Sequence, residues 1–351
     1  MRGDDDATAA EIVGDPDWFV EDYDPQRAVL SFVRAGRDVL GAQPFLDYRW
    51  NRKALKRREL SLDAIAAHMS EETPLPRLHF IWHTSFCCST LLAEALDLPA
   101  GNLSLREPLV LVAVADAKRA GRWLNRPMPP RLIEIVFRLL GRSRGETLTV
   151  KPSNFANVLI DDAASLTQGK ALLLYSDLED FLVSIEKGGE PLRKYARRLL
   201  GNIAGDGGAT MPPPQDVFQM SDLEVAALAW HMQIAHLRRA AALLGPERAA
   251  SLDSAAFLAD PKAALSAVDA FFDLGLGETH ISRVLTGPLM KRHAKEPSHP
   301  FDADQRRAQA DAMRRRLGPH LQRISEWSHS RFPDTRQGPL LLGTRAVFPA
   351  D

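Results

Sequence analysis

The stretch from Arg77 to Leu96 constrains the fold more than any other part of this chain. Leu78-His-Phe-Ile-Trp-His83 is a short apolar run, Thr84-Ser-Phe-Cys-Cys88 is a turn of mostly small and hydroxylated residues, and Ser89-Thr90 opens a helical pattern. A strand that passes through such a turn into a helix N-terminus can hold an oxyanion. Backbone N–H groups converge there, the helix dipole favours negative charge, and Ser or Thr hydroxyls add donors. The turn lacks the glycines and lysine of G-x-x-x-x-G-K-[ST], so it brings no cation of its own. Without a ligand, the same residues make an ordinary strand-to-helix turn capped by Ser or Thr.

With 351 residues the chain has room for one large α/β unit and a helical annex. Hydrophobic content of 45% and charged content of 25% are those of a globular protein. A net charge of −1 gives no overall pull toward nucleic acid or membrane, so any anion site must be local. No apolar run reaches membrane-spanning length; Leu109–Ala115 is far too short. The acidic start, Met-Arg-Gly-Asp-Asp-Asp, has no apolar core of a secretion signal. The two cysteines, Cys87 and Cys88, are adjacent, which suits neither a structural disulfide nor a zinc site. A cytoplasmic setting without a metal is the expectation.

Along the chain, helical spacing runs from Asp24 to about Arg58, ending in the basic run Asn51–Arg58, which reads as a solvated helix face. Residues 1–75 are therefore expected to form a helical N-terminal segment. From residue 76, buried strands are expected at Leu78–His83, Asn102–Pro108, Thr147–Pro152, Lys170–Ser176 and Ala249–Asp253, with helices between them. Gly201–Pro214 reads as a breaker-rich mobile flap or a disordered stretch, Asp222–Leu244 as a long helix carrying Trp230, and Asp302–Phe332 as a closing helix. Strands alternating with helices predict a parallel sheet flanked by helices over residues 76–332, with ligands at the carboxyl ends of the strands and 333–351 as a tail.

Those strand ends are chemically coherent. The 84–90 loop, Glu107, Lys151 and the segment from Ser176 to Ser184 follow four different strands and would face one crevice. Together they offer an oxyanion cradle, a carboxylate, an ammonium and a hydroxylated helix start. That inventory suits transfer of an anionic group to an acceptor that loses a proton. His83 is the rival base, and Lys151 the group that stabilises the leaving oxygen.

These residues also resemble a family, the P-loop-type sulfotransferases. Thr84-Ser-Phe-Cys-Cys-Ser-Thr-Leu-Leu92 is similar to that family's loop for the 5′-phosphosulfate of phosphoadenosine phosphosulfate (PAPS). Arg106-Glu-Pro108 resembles the segment bearing an acceptor-activating carboxylate, and Val150-Lys-Pro152 the Lys-x-Pro block. Leu174 through Ser184 resembles the block that holds the 3′-phosphate, and Ala250–Pro261 with Phe271–Leu274 a later segment. The resemblance implies a P-loop NTPase-like, sulfotransferase-type fold and sulfuryl transfer from PAPS to a hydroxyl or amine on a small molecule or peptide. Adenosine 3′,5′-bisphosphate would be the product. It implies donor contacts from Thr84, Ser85, Phe86, Cys87, Cys88, Ser89, Thr90, Ser176, Ser184 and Lys295, with Glu107, Lys151 and His83 in catalysis.

The chain departs from the pattern where the family's first 3′-phosphate arginine falls on Ser176, losing a charge-assisted contact of about 1.5–3 kcal/mol. Lys187, Arg193, Arg292 and Lys295 are the candidate replacements. Two alternatives stand beside the transferase: a nucleotide-dependent kinase on the same scaffold, with Asp177 as its one candidate magnesium ligand, and a non-catalytic protein that binds a nucleotide or a partner.

Overall fold

The computed structural model describes residues 2–70, 74–124, 127–206, 211–293, 296–300, 303–333 and 345–346. After a helix at Arg2–Gly14 come strands β1 (Trp18–Asp24), β2 (Val29–Arg34) and β3 (Arg57–Ser61). Then follow β4 (Leu78–His83), β5 (Asn102–Arg106), β6 (Thr147–Lys151), β7 (Ala171–Tyr175) and β8 (Ala249–Asp253), a short antiparallel pair β9 (Arg292–His293) and β10 (Glu296–Pro300), and β11 (Arg345–Ala346). The main sheet is parallel throughout, in the order β11-β8-β7-β4-β6-β5. The expectation of a parallel α/β sheet flanked by helices holds.

Side-chain alternation explains why β4 and β7 read as unbroken apolar runs. Leu78, Phe80 and Trp82 of β4, with Ala171, Leu173 and Tyr175 of β7, enter the core on one face, shared with helices Leu132–Leu140, Leu178–Lys187 and Asp222–Arg248. Ile81, Leu172 and Leu174 enter the core on the other face, with Leu92, Phe257 and Val268. A strand covered on both sides has no polar face to show. The chain leaves β4 for β5, beyond β6, and later passes from β6 to β7 on the opposite side of β4. The carboxyl end of β4 thus sits where the winding of the sheet reverses, the place where open α/β sheets bind ligands.

The N-terminal region differs from expectation. Residues 18–61 form an antiparallel sheet, β1-β2-β3, in place of a long helix. Val29, Phe32 and Val33 satisfy helical spacing, yet they also suit a central strand buried on both faces. The basic run does not form a helix face: Arg57 and Arg58 lie in β3. A register shift in β1 between Val20 and Asp22 leaves Glu21 without a strand partner. Glu21 is 1% exposed and is held by Arg52 and by both oxygens' contacts with Arg57, at 2.6 and 2.7 Å. Glu21→Ala is expected to cost about 1–3 kcal/mol, read from the urea midpoint. A change within the ~0.5 kcal/mol usual for surface positions would mean the bulge stands without this pair.

Arg142 ties this region to the core by donating to the carbonyls of Val13 (3.1 Å) and Trp18 (2.5 Å). The closing helix spans Ala303–Arg331 and buries Leu321 and Ile324. The segment beyond it is not merely a tail, because β11 adds an edge strand beside β8. Residues 207–210 of the expected flap lie outside the described residues, and a helix at Pro214–Gln219 ends it. Among the described residues no helix is long and apolar enough to cross a membrane.

Candidate functional site

The turn after β4 takes left-handed backbone at Ser85 (φ 75°), Phe86 (54°) and Cys88 (59°). Each such non-glycine residue costs about 1–2 kcal/mol, so the surroundings must impose the shape. His83 does part of this. Its Nδ1 accepts from the Ser85 N–H at 3.1 Å, which places its proton on Nε2, facing the Pro152 carbonyl at 2.9 Å. With both nitrogens engaged, His83 staples the loop to the end of β6 and is not set up as a base. Cys87 is fully buried in the core, and Cys88 precedes the helix Ser89–Ala95 without a side-chain capping bond.

The hydroxyls of Ser85 and Thr84 are committed to the protein. Gln233 Nε2 donates to the Ala229 carbonyl (3.1 Å), so its Oε1 accepts from Asn154 Nδ2 (2.8 Å). Asn154 Oδ1 accepts from the Tyr195 hydroxyl (3.0 Å), which leaves the tyrosine oxygen to accept from Ser85 Oγ (2.8 Å). Phe86 packs against Tyr195 and Phe181, with ring centroids 5.7 and 5.5 Å apart. Thr84 Oγ1 accepts from the Ser176 N–H at 3.4 Å, joining the loop to the end of β7.

On the other side of β4 the structure brings Lys151, Glu107 and Thr90 together. Lys151 is 1% exposed; its Nζ lies 3.4 Å from Thr90 Oγ1 and pairs closely with Glu107 Oε1. Glu107 is itself left-handed (φ 54°), and its N–H donates to the Lys151 carbonyl at 2.7 Å, which turns the side chain across the tip of β6. Its second oxygen accepts from Arg49 at 2.7 Å. Arg49 also pairs with Asp47 and stacks on the Phe45 ring, 3.4 Å from its centroid. Burial alone would raise the Glu107 pKa, but Lys151 and then Arg49 overcome it and hold the carboxyl down at about 2. Arg106 donates instead to the carbonyls of Gln43 and Gly41 (2.8 and 2.6 Å).

The β7 end is different in character. Ser176 is buried, its carbonyl accepts from the Trp230 indole N–H at 2.9 Å, and its Oγ has no hydrogen-bond partner among the described residues. Ser184 is half-buried on the helix Leu178–Lys187, one turn past Phe181, and no hydrogen bond joins its side chain to the loop among the described residues. Asp177 caps that helix by accepting from the Asp180 N–H at 2.7 Å. Although Asp177 is exposed at the strand tip, partial desolvation there, then the Asp180 charge, with Asp253 contributing, raises its carboxyl above the ordinary value. Burial also raises Asp253, and Asp180 adds to it.

Of the candidate replacement cations, Arg193 is paired with Glu186 and Asp222, both at 3.5 Å. Lys295 and the Arg292 side chain lie outside the described residues. Arg314, from the closing helix, pairs with Asp180, with Glu179 (3.5 Å) and with Asp311 (2.8 Å). Arg49, Tyr195 and Arg314 were not anticipated. The cluster Phe45-Leu-Asp-Tyr-Arg-Trp50, aromatic residues around an arginine, was the one available signal for the first. Nothing local marked the other two.

No family model and no curated protein matches this sequence. Among solved structures, the chain is similar to the sulfotransferase domain from the curacin biosynthetic pathway, at 14% identity and a TM-score of 0.44, over 70% of this chain and 99% of that one. It is similar to the sulfotransferase domain of the Synechococcus PCC 7002 olefin synthase, at 12% identity and TM-score 0.41, over 70% and 90% of the two chains. A sulfotransferase from Alicyclobacillus acidocaldarius gives 14% identity and TM-score 0.40, over 74% and 96%.

Proposed function

We propose that this chain is a sulfotransferase-like enzyme that moves a sulfuryl group from a nucleotide donor to a hydroxyl or amine of a small molecule or peptide. One observation carries the reading: the buried Lys151 ammonium touches at once the Thr90 hydroxyl at the start of the loop helix and the Glu107 carboxylate. An oxyanion cradle, a cation and a proton acceptor then share one spot at the ends of neighbouring parallel strands.

PAPS fits this surface in part. The left-handed turn with Thr90 and Lys151 suits the sulfuryl end, whereas the tips of β7 and β8 present Asp177, Asp180 and Asp253 where a 3′-phosphate needs cations.

The roles of the chain's own residues follow from charge. Lys151 neutralises negative charge gathering on the oxygen that leaves the sulfur. An anion drawn toward Lys151 competes with Glu107 for it, and a carboxylate that loses its cation becomes a better base. Glu107 then takes the proton of the acceptor as the acceptor–sulfur bond forms and the sulfur–oxygen bond to the donor breaks. Arg49 keeps Glu107 oriented.

The test is to incubate the protein with PAPS or adenosine 5′-phosphosulfate and a panel of phenols, alcohols and amines, following sulfated products by mass spectrometry. Lys151→Ala is expected to reduce turnover by about 10²–10³, the loss typical of a removed charge-stabilising group. Absence of product from either donor would overturn catalysis. A binding-only role is the second reading, favoured by the Ser85 proton already committed to Tyr195; it predicts nucleotide binding with no product.

A further inference from the structure

We infer that the donor carries free ribose hydroxyls in place of a 3′-phosphate, and that Asp177 and Asp253 at the tips of β7 and β8 receive them. The inference rests on the transferase reading and narrows its substrate class to adenosine 5′-phosphosulfate and related nucleoside 5′-anions.

Geometry decides where the nucleoside lies. Lys151 and Glu107, which flank the reacting centre, close the tips of β6 and β5. β4 stands between β6 and β7 in the sheet, so a donor whose anion sits in the β4 loop extends its other end over β7 and β8. There the register sets Tyr175 beside Asp253, and Asp177 follows two residues later.

Charge decides what that end can be. Asp177, Glu179, Asp180 and Asp253 crowd the two tips, and Arg314, the cation in contact with them among the described residues, is divided between Asp180, Glu179 and Asp311. A phosphate dianion placed there meets like charge, and the one cation in contact with these carboxylates among the described residues, Arg314, is already shared. A hydroxyl meets acceptors. Asp177 spends Oδ1 on the Asp180 N–H and Asp253 spends Oδ1 on the Ala255 N–H, at 2.7 Å each. Neither second oxygen has a hydrogen-bond or ion-pair partner among the described residues. Carboxylates at a strand tip bind ribose hydroxyls in other nucleotide-binding α/β sheets by this same chemistry.

A separate observation points to a ligand at this spot. Ser176, between the loop and Asp177, has a buried Oγ with no hydrogen-bond partner among the described residues, although its N–H and carbonyl are bonded to Thr84 and Trp230. Buried hydroxyls are rarely left so, and a polar ligand beside the loop supplies the missing partner.

The experiment is calorimetric titration of the full chain with adenosine 5′-monophosphate, its 2′,3′-dideoxy analogue and adenosine 3′,5′-bisphosphate. The monophosphate is expected to bind about ten-fold or more tightly than either of the others. In Asp177→Asn/Asp253→Asn, whose asparagines still cap both helices, the preference over the bisphosphate is expected to fall about ten-fold. Tighter binding of the bisphosphate to the native chain overturns this inference alone. An unchanged preference in the double variant overturns the assignment to these aspartates. If none of the three binds at millimolar concentration, the nucleotide-donor reading falls and this inference with it.

Discussion

Glu107→Ala is expected to destabilise the protein by about 3–5 kcal/mol, the cost of stranding a buried charge. The stranded group is Lys151, 1% exposed, whose other polar neighbour is a threonine hydroxyl at 3.4 Å. Lys151→Met should cost less, because Glu107 keeps Arg49 at 2.7 Å and Arg49 is part-exposed. The double variant Glu107→Ala/Lys151→Met should recover much of the loss, since neither charge then remains. Denaturant midpoints of the four proteins close the cycle. Equal losses in both single variants, with no recovery in the double, would show that the two residues do not act as a pair.

The same pair sets an acid limit. The Glu107 carboxyl is held at about 2 in the fold against 4.5 for an ordinary glutamate. A carboxyl depressed by folding contributes its stability in full above the unfolded pKa and loses it as protons are taken up below that value. Midpoints for the native chain should therefore fall steeply between about pH 4.5 and 2, and the Glu107→Gln variant should lack that share of the slope.

Trp230→Ala is expected to cost about 3–5 kcal/mol, because a fully buried indole leaves a hole that helices on both sides cannot close. Trp230 is 2% exposed in the main core, and its N–H is the donor for the Ser176 carbonyl. Trp230→Phe keeps most of the volume but loses that bond, which should cost about 1–3 kcal/mol. Its effect should also reach the site, loosening Ser176 beside the loop. Urea denaturation of both variants gives the comparison. A loss below about 1 kcal/mol for the alanine variant would mean the surrounding helices collapse onto the gap.

Much of the central sheet was readable because β4 to β8 are buried, apolar and bounded by polar or proline residues. Lys151 and Glu107 could be singled out for a related reason: charges directly after a buried strand have few places to go except the end of the sheet. The N-terminal sheet was not readable, since the spacing of Val29, Phe32 and Val33 serves a helix and a doubly covered strand equally well. His83 illustrates a different gap. Its residue type suggested a base, but its role depends on which acceptors its two nitrogens meet, and Pro152 is brought there by packing of β6 beside β4. Arg49 reaches Glu107 across 58 positions of sequence, and Tyr195 reaches Ser85 across 110. Contacts of that span have no local periodicity to announce them.

The file of side chains from Gln233 to Ser85 has a direction, and that direction begins far from the loop. Because Gln233 turns its amide hydrogens toward its own helix, every hydrogen further along points away from the strand end, and Ser85 is left to offer lone pairs. Reversing one amide at position 233 would reverse the whole file. The polarity the β4 turn presents to a visiting molecule is therefore written in the long helix behind it, where a substitution can change recognition without touching the turn.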